Sequence, residues 1–156
     1  MAVATKPGIE DKAICAACGG KCCKTMPCAA FPADFGKTHS AILRGVRAAL
    51  KTGNWSIDWW EGDPREGKNE RACGYFVRPA TVKGRGVHRF DPSWGGTCVF
   101  LKTDGCALPF EKRPEQGRMH QPTAQGECPS PPEYTKDKCA IAWQDYWKDF
   151  DKMRKE

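Results

Sequence analysis

Five of the ten cysteines in this 156-residue chain fall between Cys15 and Cys28, in the run "CAACGGKCCKTMPC". A core has little use for so many thiols in one short loop. Thiols crowded this way either pair oxidatively or hold a metal between them, and the compartment decides which. The chain has no run of about eighteen apolar residues that could span a membrane. Its first residues, "MAVATKPGIEDK", lack the apolar stretch of a signal peptide. A cytoplasmic protein is therefore expected, where disulfides are rare and clustered thiols bind metal or do redox chemistry. The even number of cysteines keeps a disulfide framework as the competing reading.

Cys15, Cys18, Cys22 and Cys23 form the pattern C-x2-C-x3-C-C. A C-x2-C turn lets two sulfurs converge on one metal while backbone N–H groups face the thiolates, and Gly19-Gly20 relaxes the loop where it must wrap. Structural zinc sites commonly use two such knuckles, and this chain has one. Three cysteines from one loop with a fourth from elsewhere suit an iron–sulfur cluster, although the spacing matches no ferredoxin pattern. Zinc tolerates irregular spacing, so both metals stay open. In an extended segment Cys22 and Cys23 would point to opposite faces, so one centre takes only one of them easily. Cys28 and Cys73 are each either further ligands or buried thiols. His39, His88 and His120 are too scattered in sequence to join the ligand set.

The formal net charge is +6, counting every cysteine as neutral. Four thiolates around one divalent zinc would change this by −4 + 2 = −2, leaving about +4. That excess is too small to argue for a nucleic-acid partner.

The length suits one modest domain, and the 16 Gly and 12 Pro interrupt it often. The expected fold is α+β: small, loop-rich and organised around the cysteine site, with two main helices and a short β-hairpin. Residues 1–12 read as a disordered lead, 13–135 as the metal-binding domain and 136–156 as a C-terminal amphipathic helix packed on it. "FPADF" (Phe31–Phe35) begins a helical turn with Pro32 early in it. Ile42, Leu43, Val46 and Leu50 fall at helical spacing over Thr38–Lys51, with Thr38 as N-cap and Gly53 as the stop. "NWSIDWW" puts Trp55, Ile57 and Trp59 at period two, as in a half-buried strand. A second strand is expected over Cys73–Pro79, with charged loop at 61–71 and further loop over 83–96 and 111–135. Trp143, Tyr146, Trp147, Phe150 and Met153 give the last helix, Lys136–Lys155, an aromatic stripe facing the core.

"GTCVFLKTDGCALPF" (Gly96–Phe110) predicts the hairpin. A two-residue Asp104-Gly105 turn would pair Thr103 with Cys106 and set Cys98 and Cys106 on opposite faces. A three-residue turn would pair Lys102 with Cys106 and put both cysteines on one face. A shared ligand site would select the second register and face both thiols towards the N-terminal cysteine loop.

The run "CAACGGKCC", then "FPADF", then "GGTCVFLKTDGCALPFEKRP" resembles the YkgJ-type cysteine-cluster proteins, described as zinc- or iron-chelating domains. The resemblance covers roughly residues 13–120. It implies that Cys15, Cys18, Cys22, Cys23, Cys98 and Cys106 form the chelating set. In that family the last segment usually runs Arg-Pro-x-x-Cys-Arg, and here it is "RPEQGR", with Gly117 where the cysteine is expected. Either that thiol is dispensable, or Cys128 or Cys139 takes its place.

The leading functional expectation is a metal-binding protein holding zinc or an iron–sulfur cluster through its thiolates. One alternative is a redox or modifying enzyme that uses the centre. Another is a protein- or RNA-binding adaptor that docks through the aromatic C-terminal helix or the basic loops.

Overall fold

The computed structural model describes residues 23–24, 27–60, 74–86, 90–91, 96–103, 105–119 and 132–155. Cys15, Cys18, Cys22, Cys73 and Cys128 lie outside these residues, as do the N-terminal lead and the charged loop at 61–71. The architecture is a small α+β domain, with helices packed on a short antiparallel sheet.

Helix α1 spans His39–Lys51. Thr38 caps it: its hydroxyl oxygen accepts from the Ala41 N–H at 3.2 Å. Ile42, Val46 and Leu50 are its buried stripe. Gly53 ends it at φ 77°, a left-handed conformation that glycine adopts without strain, and its N–H reaches the Leu50 carbonyl at 3.1 Å. Ahead of α1, Pro32–Asp34 forms the expected helical turn as a 3₁₀ helix.

Strands β1 (Trp55–Trp60) and β2 (Gly74–Pro79) pair antiparallel, with Ile57 opposite Val77. Ala30 bridges to Val77 on β2, and Phe90 bridges to Ile57 on β1. The period-two reading of β1 needs correction. Ser56, Ile57 and Asp58 are all buried, and so is every residue of β2. The strands are covered on both faces because a buried guanidinium occupies the second one. The Arg78 Nε donates to Asp58 Oδ2 at 2.8 Å, and its NH2 lies 3.3 Å from Asp91 Oδ2. The same side chain donates to the Pro79 and Asp91 carbonyls at 3.0 and 2.8 Å. A buried charge persists only when satisfied in this way.

Residues 111–135, expected as loop, contain three short helices in their described part, of which the last is the 3₁₀ turn Pro132–Tyr134. Phe110–Lys112 is a 3₁₀ turn and α2 is Glu115–Arg118. Pro114 precedes α2, where a missing N–H costs nothing. The Asp34 carboxylate caps it from a distance, accepting the Glu115 N–H at 2.8 Å and pairing with Arg118 at 2.9 Å.

The single C-terminal helix expected over Lys136–Lys155 is instead broken. Helix α3 (Lys136–Ala142) gives way at Trp143 to a 3₁₀ turn, Gln144–Tyr146, followed by α4 (Trp147–Met153). In a 3₁₀ turn residues three apart eclipse, so Trp143 and Tyr146 both point inward. Phe150 and Met153 then continue the buried stripe. The Trp143 ring lies 5.8 Å from Phe35, 5.3 Å from Tyr146 and 5.4 Å from Phe150, between centroids. Together with Tyr75, Phe76, Ile57 and Val46 these rings make the core.

Candidate metal centre

Three of the six expected ligands, Cys23, Cys98 and Cys106, lie within the described residues, and one backbone bond ties the segments of Cys23 and Cys98. The Cys98 N–H donates to the Cys23 carbonyl at 2.7 Å, tying the end of the N-terminal cysteine run to the hairpin segment. Cys98 bridges to Thr81, and the Val99 N–H donates to the Ala80 carbonyl at 2.9 Å. The segment is thus laid against the continuation of β2.

The hairpin register is neither of the two expected. Strands β3 (Leu101–Lys102) and β4 (Gly105–Cys106) pair Leu101 with Cys106 and Lys102 with Gly105. Gly105, at φ 137°, opens β4 instead of closing the turn. The face-parity argument also fails upstream. The Leu101 N–H bonds back to the Cys98 carbonyl at 3.1 Å, so the chain turns between Cys98 and β3 and the two cysteines do not share one continuous strand. Burial pushes the Cys98 thiol up to about 11, opposed by the Phe100 backbone N–H bonded to it, and Cys106 and Cys28 push it further. Arg78 acts on it in the opposite sense. An N–H aimed at the sulfur from two residues on is what a thiolate ligand uses.

Among the described residues, no three His, Cys, Asp or Glu side chains are gathered so that they could hold a metal ion between them. Cys98 is 5% exposed, and burial there favours the protonated thiol.

Cys28 lies at the end of the N-terminal cysteine run. It is half-buried, and its thiol lies within electrostatic reach of Cys98 and of Lys136. The Lys136 ammonium donates to the Pro27 carbonyl at 3.1 Å and sits 5.6 Å above the Phe76 ring. Burial lowers its pKa, and Cys28, Cys139 and Asp58 hold it up.

Cys139, one of the two possible substitutes, is packed in the core. It is wholly buried, its Sγ–H donates to the Ala30 carbonyl at 2.9 Å, and burial pushes its thiol far above the usual range. The Trp143 indole N–H shares that carbonyl at 2.8 Å. His39 sits at the start of α1 as expected, 3.1 Å from Asp149 and stacked on Tyr146. His88 and His120 lie outside the described residues. No helix among the described residues is long and apolar enough to cross a membrane.

No family model, curated protein or solved structure matches the chain.

Proposed function

We propose that this protein chelates a metal through Cys15, Cys18, Cys22, Cys23, Cys98 and Cys106, and that the metal is zinc or an iron–sulfur cluster. The observation that carries this reading is the 2.7 Å hydrogen bond from the Cys98 N–H to the Cys23 carbonyl. It joins the dense cysteine run, C-x2-C-x3-C-C, to the segment of Cys98, which leads into the β3–β4 hairpin with Cys106. The resemblance to YkgJ-type chelating domains points to the same six residues.

A bound cation would turn neutral thiols into thiolates and link the N-terminal loop to the hairpin. The chain's own residues prepare for that charge. The Phe100 N–H and the Arg78 guanidinium both favour an anionic sulfur at Cys98. The Lys136 ammonium offsets negative charge at Cys28.

The test is elemental analysis with an absorption spectrum of protein purified without oxygen. Zinc in a colourless protein supports a structural centre. Iron with sulfide and a visible band that bleaches reversibly on reduction supports a cluster and a redox role. Protein that carries neither and takes up neither on reconstitution defeats the proposal.

A further inference from the structure

Two motifs that contain no thiol, "FPADF" (Phe31–Phe35) and "RPEQGR" (Arg113–Arg118), lie far apart in sequence and meet in the fold. Asp34 is the joint. Its Oδ2 accepts the Phe31 N–H at 2.9 Å and the Glu115 N–H at 2.8 Å, and its Oδ1 lies 2.9 Å from the Arg118 NH2. Both carboxylate oxygens are thus committed to the fold. Arg118 is committed only in part. Its guanidinium meets Asp34 and the Arg113 carbonyl, and a guanidinium carries more N–H donors than those two contacts use. Together with Trp55, from the start of β1, the two motifs line a cavity of about 270 Å³. Phe35 and Trp55 bring rings to it, edge to face and 5.8 Å apart between centroids.

We propose that this cavity binds a small organic monoanion, a carboxylate carried on a flat apolar body. The lining sets each part of that description. Drug-sized ligands occupy about 300–1,000 Å³, so the volume suits a smaller one. Lys112, Arg113 and Arg118 stand against Asp34 and Glu111, a balance of +3 − 2 = +1 that one negative charge completes. The Asp34 charge is already met by Arg118 and two N–H groups, so it does not repel a ligand as a free carboxylate would. The planar fork of a guanidinium matches a carboxylate in shape and charge. The rings of Phe35 and Trp55 offer the apolar surface on which a flat body packs. No cysteine lines the cavity, so the site stands independently of the metal-binding reading.

The test follows the amide and indole N–H resonances of the full chain while benzoate is added, with benzamide and inorganic phosphate as comparison probes. Benzoate should bind with a Kd at or below about 1 mM and shift the Trp55 indole and the Asp34, Phe35 and Arg118 amides. Benzamide has the same shape without the charge, and phosphate has charge without the flat body. Each should bind at least about tenfold more weakly than benzoate. Arg118→Gln should weaken benzoate about ten- to a hundredfold, the worth of a hydrogen bond to a charged group. Arg118 also holds Asp34, so a second variant leaves that pair alone. Lys112 is exposed, and Lys112→Glu should weaken benzoate while leaving benzamide unchanged. If Arg118→Gln does not fold, Lys112→Glu alone decides. Shifts confined to other parts of the chain, or none up to about 10 mM benzoate, would overturn the assignment. Equal affinity for benzamide or for phosphate would overturn it as well, and so would wild-type benzoate affinity in both variants.

Discussion

Trp143 and Cys98 are both nearly or wholly buried, yet their surroundings have little in common. Trp143 lies among the rings of Phe35, Tyr146 and Phe150, with its indole N–H bonded at 2.8 Å. Cys98 is held by backbone bonds to Cys23 and Thr81's strand, beside a hairpin with two residues in each strand. A two-strand hairpin of that length is marginal in water without something added. The aromatic region is stable through packing. The thiol region has the backbone connections of a folded unit and one ring contact to the core, Phe100 on Trp55 at 5.8 Å between centroids. On the proposed metal-binding reading, a metal would do for the hairpin what the rings do for the sheet.

The largest expected effect follows from that contrast. A structural thiolate centre can contribute about 10 kcal/mol or more of apparent binding energy, the order of a whole domain's stability. Stripping the metal with a chelator should expose the Cys98, Leu101 and Ala107 amides to exchange while the Ile57–Val77 ladder stays protected. Amide exchange with and without metal measures this directly. Equal protection of the hairpin in metal-free protein would show that both regions stand on packing, and that any metal has a role other than holding the fold.

The second test attacks the other region. Trp143→Ala removes the ring at the centre of the aromatic cluster and should cost about 3–5 kcal/mol, the range for large aromatic truncations in a core. The loss should appear in urea unfolding of metal-loaded protein. The Ala30 carbonyl keeps its bond from Cys139, so the segment that carries Cys28 should remain in place and metal content per folded molecule should hold. If Trp143→Ala sheds metal as readily as stability, the two regions are one cooperative unit.

How far the sequence reveals each region follows the same division. Helix α1 was legible to its ends because its signals are local: Thr38 caps it, Gly53 stops it, and Ile42, Val46 and Leu50 mark the buried face. Both strands of the sheet were legible for a similar reason. The break at Trp143 was not, since aromatic residues at steps of three and four suit an α-helix and a 3₁₀ turn alike. Asp58 was hidden by its own pattern, because alternation with Trp55, Ile57 and Trp59 puts it on the outer face, and only Arg78 from β2 explains why it is buried. At the thiol site the pairing of Cys23 with Cys98 depends on long-range contacts, and so does the approach of Gly117 to Cys28. The turn at Cys98–Leu101 undid the face argument for the hairpin, because parity counts only along an unbroken strand. The cysteine pattern points to a chemistry but carries none of this geometry.

The smallest expected effect is a pH dependence carried by the packed region alone. Burial raises Asp58 from 3.8 to about 6, against the pull of Arg78 and the bonds it accepts from Arg78 and Trp59. In the unfolded chain this carboxyl releases its proton near its ordinary value. Between about pH 4 and 6 the folded protein therefore holds a proton that the unfolded chain has lost, and stability contributed by this group falls as pH rises through that window. The change amounts to roughly 3 kcal/mol at most, from a shift of about two pH units, and it levels off above pH 6. Thiolates at the proposed metal centre would respond in the opposite sense, since they need their protons removed to bind. The two contributions separate by comparing wild type with Asp58→Asn, which leaves the cysteines unchanged. The difference between their unfolding free energies should slope across pH 4–6 and be flat above it. Parallel curves throughout would mean that Arg78 holds Asp58 ionised in the fold, and that the pH response of the protein comes from the thiol region alone.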